Sequence, residues 1–192
     1  MQSISTQSRS QILILALCYL YAVSVFAEEA PEYEEIEWVQ LMPEDDLVAI
    51  LNPPNSLMNI PEGAPNDGID NIIGMAGNNP ETQRYFEALK SRNIVSKYEN
   101  KRIKLPGFIV PLANDEDNNV TEFFIVPYFG ACLHYPPPPP NQIIYAKVEQ
   151  GFELESLHDP FYFKGKLLIE QQVNALGISA YRLIVDDLSP YE

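Results

Sequence analysis

Cysteine is nearly absent from this sequence: Cys18 and Cys132 are the only two in 192 residues. Cys18 lies in an N-terminal stretch that reads as an export signal. Arg9 precedes the uncharged, mostly apolar "QILILALCYLYAVSVFA", and Val25 and Ala27 are small residues spaced for cleavage before Glu28. Removal of residues 1–27 would leave 165 residues with Cys132 as the sole thiol, which excludes an intramolecular disulfide. A lone thiol in an oxidising compartment must be buried, ligated or used. Long apolar runs are lacking too. The N-terminal run falls short of the roughly 20 residues a membrane-spanning helix prefers, so no membrane insertion is expected after cleavage; an uncleaved anchor is the alternative. Leu17 before Cys18, where a small residue is needed, sets aside a lipoprotein reading.

Positive charge is the third shortage. Twelve Lys and Arg stand against 27 Asp and Glu, for a net charge of −15, or −16 once Arg9 is removed. Such a chain is repelled by phosphate backbones, so nucleic acid is excluded as a partner class. Histidine occurs only as His134 and His158, and tryptophan only as Trp38.

What is present divides the chain unevenly. Residues 28–37, "EEAPEYEEIE", read as an acidic, solvated leader. Residues 38–100 read as a helix and loop segment packed on something else. Pro43, Glu44, Asp45 and Asp46 suit a first helical turn, and residues 52–80 are rich in Asn, Pro and Gly. Asn79, Pro80 and Glu81 start a second helix with Tyr85, Ala88 and Leu89 on one face. Residues 101–192 change character. Lys101–Leu112, Val120–Phe129, Gln142–Val148, Phe161–Glu170 and Ala180–Leu188 are five runs rich in β-branched and aromatic residues, separated by turn-type sequence such as "ANDEDNN" and "QQVNALGIS". Five strands at this spacing predict a mainly β fold, a small five-stranded, OB-like barrel, with a sandwich as the alternative. Pro106, Pro111 and Pro127 mark edges, bulges or strand ends. No solenoid-type repeat is visible, and residues 38–192 read as one domain.

The chemistry concentrates in "GACLHYPPPPPNQ", Gly130–Gln142. In an extended chain Cys132 and His134 point to one side, about 6.7 Å apart. A thiolate and an imidazole so placed suit Zn2+ or copper and do not suit Mg2+ or Ca2+. The remaining ligands would come from His158, Asp159, another carboxylate, groups near Asn141 and Gln142, water or a second chain. A buried structural cysteine and a nucleophilic Cys–His pair are the competing readings, and spacing alone does not separate the three. Pro136–Pro140 favour polyproline II, stiffening the loop whether it frames a site or docks a partner. The sequon Asn119–Thr121 matters only in a eukaryotic secretory pathway, and "DEDNN" lacks EF-hand spacing.

Taken together, "W-x-x-L-x-P" from Trp38, "LPGFIVPL" from Leu105 and "EFFIVPYFGACLHYPPPPPNQII" from Glu122 resemble the DUF3299 family of small exported proteins of Gram-negative bacteria. The resemblance spans roughly Trp38 to Leu188. It implies a periplasmic accessory encoded beside a MacB-like ABC transporter and a His-rich periplasmic protein linked to zinc acquisition. Cys132 and His134 match its motif, with Tyr128, Asn141 and Gln142 as site-shaping neighbours, while His158 falls outside it. No catalytic residue is implied. The leading expectation is a non-enzymatic protein that binds or hands off a transition metal, zinc first and copper second, to ABC transporter components or a periplasmic metal-binding protein. A metal-free interaction module is the alternative, and a thiol enzyme the third class.

Overall fold

Alternation along one long strand organises the molecule. A computed structural model describes residues 31–55, 79–131 and 138–191; the fold below is the unit that begins at Tyr33. Strand β2, Arg102–Asn114, turns Ile103, Leu105 and Ile109 inward and leaves Lys104, Phe108 and Val110 on the other face. Its first half pairs antiparallel with β5 (Phe161–Leu168), Arg102 opposite Lys166 through Gly107 opposite Phe161. Its second half pairs with β3 (Val120–Val126), Phe108 opposite Val126 through Asn114 opposite Val120. Thirteen residues therefore serve two partners, and the strand bends to do so. Register shifts follow Pro111, where a proline interrupts the ladder. Gly107 stands at the switch, where a Cβ would lie 2.8 Å from Ile125 Cγ2.

Strand β4 (Ile144–Phe152) pairs antiparallel with β3 and parallel with β8 (Tyr181–Pro190), which returns antiparallel along β5. The order β2-β3-β4-β8-β5 closes back on β2. This is a closed five-stranded barrel whose single parallel contact joins its third and fifth strands, the OB arrangement. Phe123, Ile125, Ile144, Phe163, Leu167 and Leu183 fill it and are at most 1% exposed. Each such side chain contributes about 1.5–3 kcal/mol of transfer free energy.

Two expectations need correction. The acidic stretch is not wholly a solvated leader. Strand β1, Glu34–Glu35, pairs parallel with Ile103 and Lys104 on the edge of β2 that β3 does not reach, and the Ile36 amide donates to Lys104 O at 3.0 Å. Ile36, the one aliphatic residue between Ala30 and Trp38, is buried in the barrel core, and the glutamates pair outward, as Glu35 does with Lys104 at 3.2 Å. Likewise "QQVNALGIS" is more than a turn. It folds as a hairpin of β6 (Gln172–Asn174) and β7 (Gly177–Ser179), with the Asn174 side chain accepting from the Leu176 amide at 3.2 Å.

Helix α1, Glu44–Leu51, opens with three acidic residues that complement its dipole. Helix α2, Pro80–Leu89, is capped by Asn79, whose side chain accepts from Glu81 N at 2.9 Å. Asp46 joins them. Though 1% exposed, it accepts from Arg84 Nη2 at 2.6 Å, from Ser91 Oγ, and from Asn93 Nδ2 at 3.4 Å. The segment is tied to the barrel by Trp38 Nε1, which donates to Pro106 O at 2.7 Å, and by the Tyr181 hydroxyl, which donates to Leu41 O at 2.8 Å. Among the described residues, no helix is long and apolar enough to cross a membrane. The expected signal segment, 1–27, lies outside the described residues.

Candidate functional site

On a barrel strand every second side chain points out, and most such positions are wet. Strand β3 breaks that rule. Phe123 and Ile125 face the interior, yet their outward neighbours Phe124 and Val126 are also 0% exposed. With Ala131 and Ile143 they form a second apolar cluster, edged by Phe108, Val110, Leu112 and Tyr145. Its cover comes from Ala131 and Ile143, near the two ends of the β3–β4 connection, and from the β6–β7 hairpin. A Cβ on Gly177 would sit 3.7 Å from Phe124 Cε2 and 3.8 Å from Ile143 Cδ1, so the hairpin backbone lies directly on the cluster. The sequence carried this signal: "FFIVP" has no polar alternation, as expected of a strand buried on both faces.

The connection is fixed at both ends. At its start Ala131 N donates to Tyr128 O at 3.3 Å, Gly130 turns the chain at φ 74°, and Ala131 is buried in the cluster. At its end Pro138 and Pro139 are buried, and Pro139 has the polyproline II values φ −64°, ψ 156°. A 3₁₀ turn, Pro140–Gln142, follows. Pro140 O accepts from Ala180 N at 2.8 Å, Asn141 Nδ2 donates to Asn93 O at 3.1 Å, and Gln142 Nε2 donates to Trp38 O at 2.9 Å. The two amides expected to shape the site thus stitch the end of the loop to the N-terminal segment. Cys132 and His134, with Pro136 and Pro137, lie outside the described residues.

His158 sits on the β4–β5 connection, residues 153–160, far from Cys132 in sequence. Barrel closure brings that connection beside the start of the loop. The imidazole stacks on the Phe129 ring, centroids 4.1 Å apart and planes 27° apart, and Phe129 in turn meets Phe108 edge-on at 6.4 Å. Phe129 is three residues before Cys132, at most about 11 Å of Cα trace. His158 is solvent-exposed, as a loop histidine should be, and is held by the stack and by its amide donating to Ser156 Oγ at 3.1 Å. Tyr128 is 44% exposed on the same edge. Below the stack a small apolar cleft of about 140 Å³ opens between Phe108, Val110, Phe129, Leu157 and Leu176. Sequence reasoning proposed none of Phe108, Phe129, Leu157 or Leu176 as site residues. Among the described residues no three His, Cys, Asp or Glu side chains converge as a metal site. Any such site would therefore draw at least one ligand from outside the described residues.

Comparison with known proteins agrees with the architecture. Residues 38–190 match the family model described as a protein of unknown function, DUF3299. The crystal structure of a DUF3299 family protein from Pseudomonas aeruginosa PAO1 is 34% identical and superposes with a TM-score of 0.60, covering 84% of this chain and 98% of that one. No curated protein matches the sequence. The match takes in β2 to β8, both helices and the Cys-x-His loop. The chain belongs to the DUF3299 family.

Proposed function

We propose that this protein is an exported, periplasmic, non-enzymatic accessory that binds a transition metal and passes it on, zinc first and copper second. Cys132 as thiolate and His134 as neutral imidazole are its ligands, and His158 is the third. The observation that carries the reading is the Phe129–His158 stack, which holds an exposed imidazole against a residue three positions before Cys132. Cys, His and His are a donor set for zinc or copper. Three protein ligands leave a fourth position open, and an open position favours exchange over storage. Loop ends fixed at Ala131 and at Pro138–Gln142 lower the entropy cost of closing the connection around an ion. The recipient is the one the family resemblance implies, an ABC transporter component or a periplasmic metal-binding protein.

The test is metal content and zinc affinity of the mature protein purified under reducing conditions, beside Cys132→Ala, His134→Ala and His158→Ala. Near-stoichiometric zinc is expected, with at least a tenfold loss of affinity in each variant. Wild-type affinity in a Cys132→Ala, His134→Ala double variant defeats the proposal. Wild-type affinity in His158→Ala alone removes only the third ligand.

One observation favours a second reading, a metal-free docking module. Tyr128, Phe129, Leu157 and Leu176 are 40–55% exposed around the proline tract, an apolar edge suited to a protein partner. That reading predicts no metal in the purified protein, and loss of partner binding when Pro136–Pro140 are replaced by a flexible linker.

A further inference from the structure

A second cleft opens on the other side of Leu176, away from His158. It encloses about 350 Å³ between the C-terminal end of α2, the buried prolines and the β6–β7 hairpin. Its walls are apolar: Leu89, Pro138, Pro140, Ile143, Leu176 and Ile178. Among the described residues its charged liners are Lys90 and Arg92, and no acidic side chain lines it. In a chain of net charge −15 this is an inversion of the local field. Among the described residues neither cation has an ion-pair partner, a state they share with Lys101 and Lys166, whereas Arg84, Lys97, Arg102, Lys104, Lys147, Lys164 and Arg182 are paired. Arg92 makes one long hydrogen bond, from Nη1 to the neutral Gln171 Oε1 at 3.5 Å. Lys90 is the C-cap of α2, where its charge already complements the helix dipole. Arg92 is therefore the stronger anion receptor.

We infer that this cleft binds a small amphipathic carboxylate, an apolar chain of roughly eight carbons ending in one negative charge. Apolar walls with few convergent polar groups are the usual make-up of a small-molecule site, and the volume lies at the lower end of that range. At roughly 30 Å³ per water-sized group, the cleft holds about a dozen heavy atoms, enough for octanoate and too few for a peptide. The guanidinium supplies the planar, two-pronged donor that a carboxylate prefers. A hydrated inorganic anion would leave the apolar walls unmatched. The inference is independent of the metal reading, because no liner is a proposed ligand.

The experiment is calorimetric titration of the mature protein with octanoate, octanol and octylammonium, all below their micellar range. Octanoate is expected to saturate one site at least tenfold more tightly than octanol, with no saturable binding of octylammonium. The Lys90→Gln, Arg92→Gln double variant should lower octanoate affinity at least tenfold, to the level of octanol, while zinc affinity and thermal midpoint stay unchanged. Arg92→Gln alone should account for most of that loss. Leu176→Glu, at a position already 55% exposed, should weaken octanoate and octanol alike without unfolding the hairpin. The assignment is overturned by non-saturable binding, by equal affinity for acid and alcohol, or by undiminished octanoate binding in the double variant. Tighter capture of a leucine-ended tripeptide acid than of octanoate overturns it too, since that ligand is a chain terminus.

Discussion

Tyr181 opens strand β8 with its side chain 0% exposed, and its hydroxyl joins two parts of the N-terminal segment to the barrel. The hydroxyl donates to Leu41 O at 2.8 Å and accepts from Val95 N at 2.7 Å. Burial pushes its pKa up from 10.0 to about 12, against the smaller opposing pull of the Val95 N–H. The folded state thus holds this proton more tightly than the unfolded chain. Its stabilisation is complete below pH 10 and is lost as pH rises from 10 to 12, because the unfolded state ionises first. Two units at about 1.4 kcal/mol each set the loss at roughly 3 kcal/mol. Tyr181→Phe removes the titration together with the hydrogen bonds and leaves the Leu41 carbonyl and Val95 amide unpartnered, which costs about 1–3 kcal/mol at neutral pH. Urea denaturation followed by far-UV circular dichroism from pH 8 to pH 12 should therefore show wild type the more stable by a constant margin up to about pH 10. That margin should then shrink by about 2–3 kcal/mol. Many tyrosines ionise in this range, so only the difference between the two proteins is diagnostic. A margin that holds constant to pH 12 refutes the argument that burial of this hydroxyl sets its proton affinity.

Two further perturbations test the frame that carries the site. At Gly165, where β5 and β8 shift register, a Cβ would fall 2.2 Å from Ile184 O, so Gly165→Ala should destabilise the barrel by about 3 kcal/mol or more; a wild-type urea midpoint would contradict this. Arg84→Ala strands the buried Asp46 carboxylate and should cost about 2 kcal/mol, less than a fully buried pair because Arg84 is 39% exposed. A double-mutant cycle with Asp46→Asn should return an interaction energy above about 1 kcal/mol; a value near zero would mean the two helices are held by other contacts.

The five barrel strands were legible because each is a run of β-branched and aromatic residues between turn residues, and both helix starts were legible from Asn79 and from the acidic turn after Pro43. Other features depend on what meets what. Strand β1 was hidden because six acidic residues surround Ile36, and composition averages away the one side chain that is buried. The β6–β7 hairpin was hidden because Asn174 and Gly177 read as loop residues, although they are what allow two three-residue strands to turn back. Cys132 and His134 were named as candidate ligands by residue type and lie outside the described residues. The position of His158 was not legible, because its contact with Phe129 crosses a whole strand and exists only once β4 has paired with β3 and the barrel has closed. Asn141 and Gln142 were singled out as polar groups beside the prolines. Their partners, Asn93 O and Trp38 O, lie 48 and 104 residues earlier in the chain, and no local pattern names them.

The outer face of the barrel determines which functions the fold can host. Barrels of this arrangement commonly take ligands across their second and third strands, flanked by the loops between strands one and two and between strands four and five. Here those strands are β3 and β4, and the outward β3 side chains Phe124 and Val126 are buried in a cluster with Ala131 and Ile143, with the β6–β7 hairpin against Phe124. A buried Phe124 offers no stacking platform, and the acidic chain already repels phosphate. Covering the face moves the open surface to the two margins of the cover. On one margin are His158, Phe129 and the start of the Cys-x-His segment; on the other are Arg92, Lys90 and the end of the proline tract. Leu176 lines the cleft on each side. The two described ends of one chain connection lie at these margins, fixed by the Ala131 amide on Tyr128 O and by the hydrogen bonds of Pro140–Gln142. A ligand on either margin would therefore act on an end of the same connector, and the two binding assays should be run in each other's presence. Zinc affinity that changes with octanoate would show that the connector transmits, whereas independent affinities would make the margins separate sites on one scaffold.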